Sequence, residues 1–127
     1  MGNENVAISD TATVTASTIN SINGLTTGVV TISSATAVTG TLSEITTLYA
    51  ANSAGTITGL GNEAITVTGS VTSTDLATLD GYTTGTVAVS TSSTTMVAST
   101  LNTLDTDSTT VVDASTVTTL TLSLIHI

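Results

Sequence analysis

The chain has no lysine, arginine, cysteine, proline, tryptophan or phenylalanine. Without a basic side chain, binding to a nucleic-acid backbone has no cation to work with, and docking on anionic membranes loses its electrostatic attraction. Nine Asp and Glu residues stand against no Lys or Arg, for a formal charge of −9 and a pI near 4.1. Every carboxylate must therefore be solvated, hydrogen-bonded or matched by a bound cation. The lack of cysteine removes disulfides, thiol nucleophiles and thiolate metal sites, and leaves the compartment open. Tyr49 and Tyr82 are the only aromatic residues, so the core must be thin and aliphatic. There is no run of about 18 apolar residues, the least a membrane-spanning helix needs.

The residues that are present favour folding. At 127 residues the chain has room for one ordinary domain or a short run of repeats. Apolar residues make up 39%, and the mean hydropathy of +0.49 is above that of disordered chains. Thr occupies 34 positions and Ser 16, and β-branched Thr suits a pleated, half-buried surface.

Internal repetition organises the pattern. Apolar pairs spaced i,i+3 recur at Ile19/Ile22, Ile45/Leu48, Leu76/Leu79 and Leu101/Leu104. Each pair is followed by a turn segment and then by an aliphatic anchor, Val30, Ile57, Val87 or Val112, at intervals of 27, 30 and 25 residues. Thr41 with Glu44, and Thr72 with Asp75, have capping-box spacing and predict short helices at the apolar pairs. Segments such as Val29–Ile32, Thr86–Val89 and Ile65–Thr68 alternate with period two and predict strands. One such unit buries too little alone, so neighbours must stack. The expected fold is a repeat solenoid: a parallel β-solenoid with two short strands and one short helix per coil of about 25–31 residues, its anchors forming one ladder. Residues 1–121 would hold three to four repeats, truncated at both ends. The Gly2-Asn3-Glu4 triplet recurs at Gly61-Asn62-Glu63, which places Met1 inside a repeat. No basic n-region with an apolar h-region, the mark of a signal peptide, follows Met1. Residues 122–127, Leu-Ser-Leu-Ile-His-Ile, match the translation of a transposase adapter used in sequencing libraries and are expected to be non-native.

The units Thr72–Ser90 and Ser99–Thr121 resemble the Thr-rich repeats of giant secreted and cell-surface proteins of marine cyanobacteria, in which a DLxxLDxxTTGxV pattern recurs. The likeness runs from about Val14 to Thr121. It implies an extracellular or cell-surface location and a structural or adhesive role, with neighbouring repeats of the parent chain and extracellular matrix as partners. It carries over no catalytic residues.

The chemistry legible in the residues agrees with a non-enzymatic role. Ser and Thr nucleophiles need a base, and the single histidine, His126, lies in the adapter-like run. No phosphate-binding loop, HExxH pair or calcium-binding β-roll nonapeptide occurs. Repeat alignment brings Glu44 over Asp75, and Asn23, Asp80 and Asp105 over one another. Capping and turn chemistry accounts for these positions. The functional alternative is a weak Ca²⁺ site at Asp80 and Asp105. A second binding alternative is an ice-binding Thr array, drawn from Thr-x-Thr pairs such as Thr66/Thr68 and Thr116/Thr118. The anchor strands Val30–Ile32, Ile57–Gly59, Val87–Val89 and Val112–Ala114 do not keep Thr at one position, which ranks this alternative below the structural role.

Overall fold

A computed structural model of the chain describes residues 2–90, 95–97, 112–113 and 119–121. The elements in order are β1 (Val6–Ile8), β2 (Thr13–Thr15), α1 (Ala16–Asn23), β3 (Val30–Ile32), β4 (Ala37–Thr41), α2 (Leu42–Ser53), β5 (Ile57–Thr58), β6 (Ala64–Thr68), α3 (Ser73–Asp80), β7 (Val87–Ser90), β8 (Thr95–Val97), β9 (Val112–Asp113) and β10 (Thr119–Thr121).

Local chemistry explains the helices. At α2, the Thr41 hydroxyl accepts from the Glu44 N–H, and the Glu44 carboxylate accepts from the Thr41 N–H at 2.8 Å. Thr72 and Asp75 make the same reciprocal pair at α3. Each pair satisfies two donors that a helix start leaves open. Helix α1 follows Thr15 with no side-chain cap. The i,i+3 residues face inward: Ile19, Ile45, Leu48, Leu76 and Leu79 are buried, and Ile22 is half-buried against them. They meet Val14, Val30, Ile32, Val38, Ile57, Ile65, Val67, Val87 and Val89 from the strands in one aliphatic core. The pair Leu101/Leu104 lies outside the described residues.

The strands form parallel sheets. One has the order β1-β3-β5, with Val6 opposite Val30 and Val30 opposite Ile57. A second has the order β2-β4-β6-β7-β9, and β8 pairs with β10. This arrangement overturns the expected β-solenoid. Val30 and Ile57 pair as the ladder requires, but Val87 lies opposite Ile65 in the second sheet, and Val112 lies opposite Val89. The chain is instead a small α/β domain of parallel sheets, with three helices among the described residues. Its β6-α3-β7 segment is a βαβ crossover between adjacent parallel strands, the unit of Rossmann-like folds.

The cause is a turn that docks on one partner sequence. Before β3, the Thr26 hydroxyl donates to the Glu4 carbonyl at 2.6 Å and accepts from the Gly28 N–H at 2.9 Å. Before β7, Thr83 donates to the Glu63 carbonyl at 2.6 Å and accepts from the Gly85 N–H at 3.0 Å. Both threonines are buried. Each Thr-Thr-Gly turn thus seats on a Gly-Asn-Glu triplet, and the second triplet leads into β6, not β5. The segment Ser53-Ala54-Gly55 has no threonine to dock and turns through Gly55 at φ +80°. Strand β7 therefore follows the triplet across to the second sheet.

The close approach at these turns yields a test. A Cβ at Gly85 would overlap the Glu63 carbonyl oxygen, whereas at Gly81, in right-handed helical geometry, the nearest atom would be 3.4 Å away. Gly85→Ala should lower stability by about 1–3 kcal/mol through overpacking. Gly81→Ala should leave it unchanged or raise it by about 0.4–1 kcal/mol through loss of unfolded-state freedom. Urea denaturation of the two variants measures both.

Candidate functional site

The expected metal ligands are not brought together by anything described. Asp80 is the last residue of α3 and is exposed. Asp105 lies outside the described residues, as does the run 122–127. Asn23, aligned with Asp80, ends α1 in the equivalent position. Glu44 and Asp75 serve as helix caps, and the Asp75 carboxyl is held below its ordinary range by the Thr72 N–H and hydroxyl that donate to it. Among the described residues, no group of three or more His, Asp or Glu side chains is placed to hold a metal ion. A cleft of about 190 Å³ lies beside α1, lined by Ile8, Asp10, Val14, Thr18, Ile19 and Ile22 among others. Its walls carry one carboxylate and no imidazole, amine or thiol, so they hold no acid–base pair.

The most unusual chemistry lies where α2 meets the Gly61–Glu63 turn. Glu63 is 2% exposed, a buried carboxylate in a chain without Lys or Arg. Hydrogen bonds take the place of a counter-charge. The Tyr49 hydroxyl donates to Oε1, while the N–H groups of Gly61 and Asn62 donate to Oε2 at 2.9 and 3.1 Å. Tyr49 is itself buried and stacks on Tyr82, with ring centroids 4.8 Å apart and planes 9° from parallel. The phenol of Tyr49 is pushed well above its ordinary pKa, first by burial, then by its hydrogen bond to Glu63 and that carboxylate's charge.

No local pattern marks this junction: Gly-Asn-Glu occurs twice, and burial separates the two copies, with Glu4 exposed and Glu63 enclosed. The usable signal was Tyr49, which lies one position beyond the apolar pair of α2 and would not be spent on a solvent-facing position.

The strands that precede the helices hold a second feature. On the outward side of the second sheet, Thr15 lies beside Thr39 and Thr39 beside Thr66. One step along, Thr41 lies beside Thr68 and Thr68 beside Ser90. Thr15, Thr41, Thr68 and Ser90 are exposed, and Thr39 and Thr66 half-buried. Neighbouring hydroxyls fall about 4.8 Å apart across strands and about 6.6 Å along them, by the spacing of parallel sheets. The anchor strands carry a shorter contact of this kind, Thr31 to Thr58 at 3.3 Å between hydroxyls.

Comparison with protein families, curated proteins and solved structures gives no match.

Two measurements test the junction. Tyr49→Phe keeps the ring stack but leaves a buried carboxylate oxygen without its donor, and should cost about 1–3 kcal/mol in urea denaturation. The fold also favours the neutral phenol, so the stability this provides is fully present below the unfolded-state pKa of 10.0 and is lost as pH rises above it. In a spectrophotometric titration, phenolate absorbance from Tyr49 should stay absent at pH 10 and appear only with alkaline unfolding.

Proposed function

We propose that the chain is a structural or adhesive tract of a secreted or cell-surface protein, one that acts through its hydroxyl-lined surface and carries out no catalysis. The two outward ranks, Thr15-Thr39-Thr66 and Thr41-Thr68-Ser90, support this reading. They present donors and acceptors in a fixed grid on a rigid sheet, where little side-chain freedom remains to be lost on contact. The absence of Lys and Arg suits the same role, since a surface of hydroxyls and carboxylates repels anionic polymers and contacts neutral hydroxylated ones by hydrogen bonds. No helix among the described residues is long and apolar enough to cross a membrane.

A second reading, binding of ordered water or ice, draws on the same ranks. The Thr-x-Thr pairs Thr13/Thr15, Thr39/Thr41 and Thr66/Thr68 lie on three adjacent strands of one sheet, although the register sets Thr13 beside Ala37. The regularity that the anchor strands lack is thus found in part on the strands before the helices.

One variant set addresses both readings. Thr15→Val, Thr39→Val and Thr66→Val together keep the β-branched shape and remove one rank of hydroxyls. Adsorption of the triple variant to hydrated neutral polysaccharide should fall at least several-fold with an unchanged circular dichroism spectrum. Undiminished adsorption would count against the adhesive reading. Thermal hysteresis in the parent chain, lost in the variant, would favour ice binding instead.

A further inference from the structure

We propose that Tyr49 and Tyr82 form an oxidative cross-linking site, at which a one-electron oxidant joins the two rings into an intrachain dityrosine. The pair contains every phenol of the chain, and the two rings are already in face contact at 4.8 Å between centroids. Other common covalent staples are closed to this sequence: it has no cysteine for a disulfide and no lysine for an isopeptide bond.

The surroundings of the two rings suit the reaction. Oxidation of a phenol releases an electron and a proton together. The Glu63 carboxylate, which accepts the Tyr49 hydroxyl, is placed to take that proton. Gly61 and Asn62 hold the other carboxylate oxygen, so the acceptor is fixed in place. Tyr82 sits on the loop after α3 and is half-buried, which leaves it within reach of a diffusible oxidant and free to release its proton to water. Tyr49, 4% exposed, is reached through the stack.

The atoms balance as follows. Each phenol loses one electron and one proton and becomes a phenoxyl radical. The radicals pair at ring carbons ortho to oxygen, forming one C–C bond, and the hydrogen on each of those carbons moves to its own oxygen as the rings become aromatic again. The net change is the loss of two hydrogen atoms, with both electrons passing to the oxidant. Coupling requires the rings to slide from face contact to edge contact, and Tyr82, half-buried where Tyr49 is buried, is the less enclosed of the two. Contact held by the fold makes the second ring available at an effective concentration far above that of any other chain in dilute solution.

The inference stands apart from the adhesive reading, because it depends on the two rings and not on the hydroxyl ranks. The test exposes the dilute full-length chain to ruthenium(III) generated by light, with persulfate accepting the two electrons and becoming two sulfates. The expected product runs as a monomer, shows dityrosine fluorescence, and has an intact mass lower by two hydrogen atoms. Digestion with an acid-residue-specific protease should join the peptides of Tyr49 and Tyr82. The yield should drop at least tenfold in denaturing urea, and no intrachain product should form in Tyr82→Phe, which retains a ring in the stack. The linked chain should also melt at a higher temperature, because the bond shortens the free loop of the unfolded state. Three outcomes would overturn the proposal: dityrosine found only between chains, an intrachain yield that denaturant leaves unchanged, or oxidation with no dityrosine.

Discussion

The arrangement of this protein depends on a hydroxyl that reaches a carbonyl. In each Thr-Thr-Gly turn the first threonine donates to the backbone of a Gly-Asn-Glu triplet, and the glycine lies so close to the same carbonyl that a side chain there would overlap it. Such a contact acts as a register pin. It sets which residue of the incoming strand faces which residue of the strand already in place, and a parallel ladder then extends from it. Because one triplet leads into β1 and the other into β6, the two turns deliver their strands to different sheets. The α/β organisation follows from that choice.

The triplet before β6 has a further consequence. Its glutamate is enclosed by α2 and the turn of the next strand, and with no Lys or Arg in the chain its carboxylate is met by dipoles. Tyr49 and two backbone N–H groups supply them, while the carbonyl of the same residue receives Thr83. A single residue thus ties α2, the β5–β6 connection and the approach to β7 together. Two other acids are used differently: Glu44 and Asp75 close helix starts, where the helix dipole favours negative charge. An acidic composition is therefore compatible with order, because these carboxylates have N–H donors.

Strands in this fold divide their labour between faces. Aliphatic residues point inward to a core with two phenol rings at one side, and threonines point outward in rows whose spacing the backbone sets. Among the described residues, the buried polar side chains are confined to the two turn contacts, Thr26 on Glu4 and Thr83 on Glu63, and to the Tyr49–Glu63 pair.

Much of the local structure was legible in the sequence. The three i,i+3 apolar pairs among the described residues fell on helices, the Thr-x-x-acid spacings became capping boxes, and alternating segments such as Val29–Ile32 and Ile65–Thr68 held strands, because each depends on residues within a turn or two of one another. The chain also determined by itself that no Lys or Arg salt bridge, disulfide or thiol site could form. Tertiary structure alone decided that Val87 should pair with Ile65, that Glu63 should be buried while Glu4 is not, and that outward hydroxyls should align across β2, β4 and β6. The solenoid expectation failed at the first of these, since equal spacing of anchors does not say which open strand edge the next strand will join. Two edges of similar composition compete for it, and the winner is the one that also offers a partner for the turn before the strand. That partner lies some twenty residues away in sequence, and its fit depends on backbone geometry that no local pattern encodes.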